Sequence, residues 1–120
     1  MAKLILVIDD DKDILSIMDF IFTDEGHQTI LYDTGTTTQD IEQLSPDLIL
    51  LDVRIEGYHK TGAQICSEIK AHPDLTKIPI LLVSAESNLN ALAGGCGADG
   101  YVAKPFAVDN LLAIVKEFLH

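Results

Sequence analysis

Leu4-Ile5-Leu6-Val7-Ile8-Asp9-Asp10-Asp11 decides the architecture of this chain. Its five apolar residues show no alternation, which suits a strand buried on both faces, as parallel strands are when helices cover both sides of a sheet. Three acids end the run abruptly. From Asp11 to Glu25 the apolar residues Ile14, Leu15, Met18, Ile21 and Phe22 fall at helical spacing, behind an acidic start that suits the helix dipole and ahead of Gly26. The segment is one βα unit.

The same alternation recurs to the end of the chain. Strands are predicted near Gln28–Tyr32, over Leu48–Leu51 and Ile80–Val83, and near Gly100–Ala103. Helices are predicted near Thr37–Leu44, Ala63–Ala71, a short one at Asn88–Ala93, and a closing one at Val108–Leu119 with Leu111, Val115 and Phe118 on one face. Gly94, Gly95 and Gly97 make a poor end for the fourth helix, which is expected to be short or mobile. Five βα units with buried strands imply an α/β, doubly wound, five-stranded parallel sheet flanked by five helices. Ligands in such sheets bind beyond the carboxyl ends of the strands, where strand order reverses. Those ends carry Asp9 and Asp10, Asp52, Ser84 and Lys104.

Composition narrows the function classes. At 120 residues and 48% hydrophobic, the chain reads as one domain over residues 1–120 with material for a core. No apolar stretch approaches the roughly 20 residues that span a bilayer and no signal peptide opens the chain, so a soluble, cytoplasmic protein is expected. Nineteen acidic against eight basic residues, a formal charge of −11, argue against nucleic acid or an anionic membrane as a direct partner and leave proteins or cations. Cys66 and Cys96 lie in no metal or redox spacing and are read as buried free thiols. His27, His59, His72 and His120 form no ligand spacing and are read as solvated or capping.

Three carboxylates gathered at one sheet edge repel one another by a few kcal/mol per close pair, at an effective dielectric of about 20, and call for a cation. Hard oxygen ligands with room for water and a phosphate oxygen are what Mg²⁺ takes in phosphoryl-transfer sites, and a carboxylate can itself become an acyl phosphate. Taken alone, the residues also allow plainer uses: a helix-capping run at Asp9, Asp10 and Asp11, an ordinary loop acid at Asp52, a turn or cap at Ser84.

Four segments in order resemble the receiver domain of two-component response regulators, a flavodoxin-like fold: Leu6-Val7-Ile8-Asp9-Asp10-Asp11, Pro46 to Val53 with its Asp52, Ile80 to Ala85 with its Ser84, and Gly97 to Phe106 with Tyr101, Lys104 and Pro105. The resemblance spans nearly the whole chain. It implies Asp52 as phosphoacceptor, Asp10 as direct Mg²⁺ ligand, Asp9 as a ligand acting mainly through water, and the Arg54 carbonyl as a further ligand. It implies that the Ser84 hydroxyl and the Lys104 ammonium each bind a phosphoryl oxygen, that Tyr101 turns inward on activation, and that the Lys104–Pro105 peptide is cis. Arg54 and Glu86 stand where side chains tune the lifetime of the phosphorylated state, and as an opposite-charge pair they are expected to form a partial lid. The implied partners are a histidine kinase or phosphotransfer protein as donor and a downstream protein or output domain outside this chain. The chain then reads as a stand-alone regulator, a relay receiver or a domain excised from a longer protein, and not as an enzyme beyond catalysis of its own modification.

Two departures stand out. Receivers reach a glycine eight residues after the phosphoacceptor through a Pro-Gly turn, whereas Asp52 to Gly62 takes ten, with Glu56 in place of the proline. The segment from Ser84 to Lys104 is about two residues short. Competing readings are a small phosphatase with an Asp nucleophile, which would want a second Asp where Arg54 stands, and an unphosphorylated scaffold on the same fold.

Overall fold

The computed structural model describes residues 2–119, so His120 lies outside the described residues. Five strands and five helices alternate: β1 Leu4–Ile8, α1 Lys12–Asp24, β2 Gln28–Tyr32, α2 Thr38–Leu44, β3 Leu48–Leu51, α3 Gly62–Ala71, β4 Ile80–Ser84, α4 Leu89–Cys96, β5 Gly100–Ala103 and α5 Val108–Phe118. All pairings are parallel, in the order β2-β1-β3-β4-β5. The order reverses between β1 and β3, so the ends of these two neighbouring strands frame the crevice that a doubly wound sheet offers to a ligand.

Every residue of β3 and β4 is buried, and so are Ile5 to Ile8 of β1, because helices cover both faces. Alternation along the strands then divides the core. Leu6, Ile8, Ile49, Leu51, Ile80 and Leu82 pack with Ile41 of α2, Ile65 and Ile69 of α3 and Leu89 and Ala93 of α4. Ile5, Val7, Leu48, Leu50, Leu81 and Val83 pack with Leu15, Met18 and Phe22 of α1 and Leu111 and Val115 of α5.

Local chemistry sets most boundaries. Asp11 caps α1, its carboxylate accepting from the Asp13 and Ile14 amides, while α3 opens with a capping box between Thr61 and Gln64. The helix expected over Asn88–Ala93 is longer, running through Gly94 and Gly95 to Cys96 before Gly97 ends it at φ 81°. Ala93 and Cys96 are buried in the core layer beside α3, and burial of that face outweighs the weak helix propensity of two glycines. β4 extends one residue beyond Val83, so Ser84 is the last residue of the strand and not a residue of the following turn.

Cys66 and Cys96 are free and buried, as expected. The fold also brings them together, with the Cys66 thiol 3.5 Å from the Cys96 carbonyl oxygen. Burial in apolar surroundings, with Cys96 beside it, pushes the Cys66 thiol far above its ordinary pKa.

Candidate functional site

Each candidate side chain arrives from the end of a strand, which fixes its backbone. Asp9 and Asp10 follow β1, Asp52 follows β3, Ser84 closes β4, and Lys104 follows β5. Asp9, Asp52 and Ser84 are buried, at 2%, 7% and 3% exposure, an unusual fate for two carboxylates unless something compensates them. Carboxylate oxygens of Asp9, Asp10 and Asp52 lie within 4.8 Å of one another. Lys104 Nζ donates to Asp9 Oδ2 at 2.7 Å and to Asp52 Oδ2 at 3.3 Å. The Lys104–Pro105 peptide is cis.

Three carboxylates thus face one ammonium. Burial, and the negative charge of Asp9 beside it, push the Asp52 carboxyl up to about 6 despite the nearby Lys104. Burial works against the charged form of Lys104, but its bonds to Asp9 and its attraction to Asp52 outweigh that and raise its pKa. A cleft of about 540 Å³ opens over this centre, lined by Asp10, Asp52, Arg54, Ser84, Ala85, Glu86, Ser87 and Lys104. Hard oxygen donors, under-compensated negative charge and an open cleft fit a small divalent cation such as Mg²⁺.

The remaining lone pairs are partly committed. Asp9 Oδ1 accepts from the Asp11 amide at 2.9 Å, and Asp10 Oδ2 accepts from the Glu56 amide at 3.0 Å. Ser84 Oγ accepts from the Glu86 amide at 3.3 Å, so its own proton stays available to an acceptor in the cleft. The acidic run is therefore divided: Asp9 and Asp10 face the centre while Asp11 serves the helix.

At the rim, Arg54 Nε donates to Glu86 Oε1 in an ion pair whose arginine side chain is 82% exposed. Tyr101 sits on β5, exposed at 42%, opposite Leu82 in register. Gly62 comes ten residues after Asp52, yet the loop returns to the strand it left. Gly62 N donates to Val53 O at 2.7 Å, and a Cβ at Gly62 would overlap the Asp52 carbonyl, so only glycine fits there. That close approach and the Glu56–Asp10 bond are features of the site not read from the sequence.

The histidines lie elsewhere. His27 Nδ1 accepts from the Lys3 amide, His59 packs against Tyr58 with the rings tilted at 45°, and His72 caps α3. His72 does group with Glu42 and Asp74, which its spacing in sequence conceals. Its Nδ1 accepts from the Asp74 amide at 3.1 Å, which leaves the proton on Nε2 to bond Glu42 Oε1 at 3.0 Å. This pair ties α2 to the end of α3.

The chain is thus a doubly wound parallel α/β protein with an acidic, lysine-bridged centre at the reversal point of its sheet. The chain belongs to the response regulator receiver domain family, whose family model matches residues 5–116. Solved structures agree. A CheY-like receiver domain protein from Methanospirillum hungatei is 26% identical with a TM-score of 0.82, the match covering 99% of this chain and 94% of that one. NtrX from Brucella abortus is 29% identical with a TM-score of 0.83, the match covering 99% of this chain but only 27% of that one. Chemotaxis protein CheY4 from Vibrio cholerae, 21% identical over 99% of this chain and 100% of that one, shares the fold with a TM-score of 0.87. Among the described residues no helix is long and apolar enough to cross a membrane.

Proposed function

We propose that this chain is a phosphoryl-accepting switch of a two-component or phosphorelay system, taking its phosphoryl group from a phosphohistidine on a histidine kinase or phosphotransfer protein. The observation that carries the reading is the buried Asp52 sharing one lysine with Asp9 at the mouth of a cleft. With a pKa of about 6, Asp52 is mostly ionised at neutral pH and can act as a nucleophile. One of its oxygens bonds phosphorus as the bond from phosphorus to the donor imidazole nitrogen breaks, leaving an acyl phosphate and a free donor histidine.

Asp9, Asp10, Asp52 and the Arg54 carbonyl would hold Mg²⁺, which when bound offsets the negative charge of the transferring group. The chain's own groups do the positioning. The Ser84 hydroxyl donates to one phosphoryl oxygen and Lys104 Nζ to another, exchanging part of its hold on Asp9 and Asp52 for the new anion. Those two contacts pull on the ends of β4 and β5, beside which Tyr101 turns inward and changes the surface offered to a downstream protein. Arg54 and Glu86 partly cover the line along which water would attack, and so set the lifetime of the modified state. The protein works in the cytoplasm, without nucleic acid or membrane as a direct partner.

Incubation with Mg²⁺ and acetyl phosphate, followed by intact mass, tests the reading. The expected result is one added phosphoryl group on the wild type and none on Asp52→Asn. An equal gain on Asp52→Asn would overturn it.

A further inference from the structure

The lengthened loop between β3 and α3 is held at its tip from two sides. Its turn is closed by Tyr58 N donating to Ile55 O at 3.1 Å, with Gly57 at φ +83°, and Ile55 is buried beneath it. On one side of the turn the Glu56 amide donates to Asp10 Oδ2 at 3.0 Å. On the other, the Tyr58 ring lies so close over Gly35 that a Cβ there would overlap it, and the Tyr58 hydroxyl donates to Thr36 O at 3.3 Å.

The Gly35–Thr36 corner is itself anchored. The Thr36 hydroxyl donates to Asp40 Oδ2 at 2.6 Å, and the Tyr32 hydroxyl, from the end of β2, donates to the same oxygen at 2.7 Å. These two bonds, that of Thr36 first, hold the Asp40 carboxyl below the usual carboxylate range. A chain of contacts therefore runs from β2 through Asp40, Thr36 and Tyr58 to the Glu56 amide and ends on Asp10.

We propose that Tyr58 is a positioning residue for Asp10: by mooring the turn on Gly35 and Thr36, it keeps the Glu56 amide aimed at Asp10 Oδ2 and so fixes the orientation in which that carboxylate meets a cation. The role rests on the reading of Asp10 as a Mg²⁺ ligand. A carboxylate offers about four acceptor directions on two oxygens, so one fixed N–H restrains its rotation and leaves lone pairs for the ion. Outer partners of metal ligands are commonly worth about 10- to 100-fold in affinity, and a single backbone amide belongs at the lower end of that range. Glu56 replaces the proline expected in the turn, and only a residue with an N–H can make this bond.

Titration calorimetry of Mg²⁺ into chelator-treated wild type, Tyr58→Phe, Tyr58→Ala and Asp10→Ala tests the proposal, with the Glu56 amide resonance followed in parallel by ¹⁵N NMR. Tyr58→Ala should bind about tenfold more weakly and shift the Glu56 resonance before any ion is added. Tyr58→Phe, which keeps the ring over Gly35, should restore wild-type affinity to within about twofold. If Tyr58→Ala does not fold, Gly35→Val displaces the ring with Tyr58 intact and should weaken binding in the same way. Unchanged or tighter binding in a folded Tyr58→Ala or Gly35→Val protein overturns the positioning role, while Asp10→Ala still losing the ion preserves the reading of the site. Failure of the wild type to bind Mg²⁺ at all would instead sink that reading, and the positioning role with it.

Discussion

Acids stand at both ends of the sheet, and they are used in opposite ways. At the amino end each is taken singly by a strand start. Asp47 Oδ2 accepts from the Leu4 amide at 2.8 Å, and Asp99 Oδ2 accepts from the Ile80 amide at 2.8 Å and from Lys70 Nζ at 2.7 Å. Lys70 also donates to the Thr76 and Ile78 carbonyls, so this corner of charge is saturated with partners. At the carboxyl end Asp9, Asp10 and Asp52 crowd together around a single lysine. Identical side chains therefore stabilise one end of the molecule and load the other with repulsion that a cation would relieve. Burial and crowding separate the two uses: Asp47 and Asp99 are exposed, each on its own strand-start amide, whereas Asp9 and Asp52 are buried and lie with Asp10 within 4.8 Å of one another.

The largest effect that could break this contrast is the response to Mg²⁺. A ligand at 100 times its dissociation constant adds about 2.7 kcal/mol to stability, and the wild type should show a rise in melting temperature of that order while Asp10→Ala shows none. An undiminished shift in Asp10→Ala would place the ion elsewhere. Asp47→Ala and Asp99→Ala should keep the full Mg²⁺ shift from a lower starting point.

The pH dependence sharpens the contrast next. Because the folded-state pKa of Asp52 lies above its unfolded value, near 6 against roughly 4, its contribution to stability is present in full below the lower value and lost as pH rises through the upper one. Thermal melts of metal-free wild type and Asp52→Asn should therefore diverge between these values, the wild type losing ground as pH rises. Parallel curves would mean that the charged carboxylate is already compensated without an ion.

At the amino end, Asp99→Ala removes the acceptor of the Ile80 amide and the partner of Lys70. It should cost about 1 to 2 kcal/mol in chemical unfolding, less than a fully buried charged bond because Asp99 is exposed. Phosphorylation by acetyl phosphate should be unaffected. The smallest effect belongs to the rim. An exposed ion pair is worth about 0.2 to 1 kcal/mol, so Arg54→Ala and Glu86→Ala should each speed loss of phosphate by about 1.4- to 5-fold, with the double variant no faster than the faster single. Rates that multiply in the double variant would show two independent side chains instead of a shared lid.

The sheet and the positions of Asp9, Asp10, Asp52, Ser84 and Lys104 were legible because each lies directly against an apolar run, and a strand's direction fixes where its end emerges. Asp11 was harder, since a helix cap and a member of an acidic cluster use the same residue type at the same place, and both occur within three consecutive positions. The length of α4 was misjudged because propensity sees two glycines, whereas the buried face at Ala93 and Cys96 is visible only once α3 is in place. The contact of Tyr58 with Gly35, like that of His72 with Glu42, crosses between separate βα units with no periodicity to announce it. Loop-to-loop contacts carry no local pattern, and this part of the site became visible only in three dimensions.

The two sulfurs have a practical meaning. Alkylation needs both access and a thiolate, and Cys66 has neither while Cys96 is buried under the junction of α3 and α4. A cysteine introduced at exposed Asn90 on α4 would then be the one position that reacts with a maleimide dye, with both native thiols left in place. Fluorescence from such a probe could follow α4 in real time as Mg²⁺ and acetyl phosphate are added.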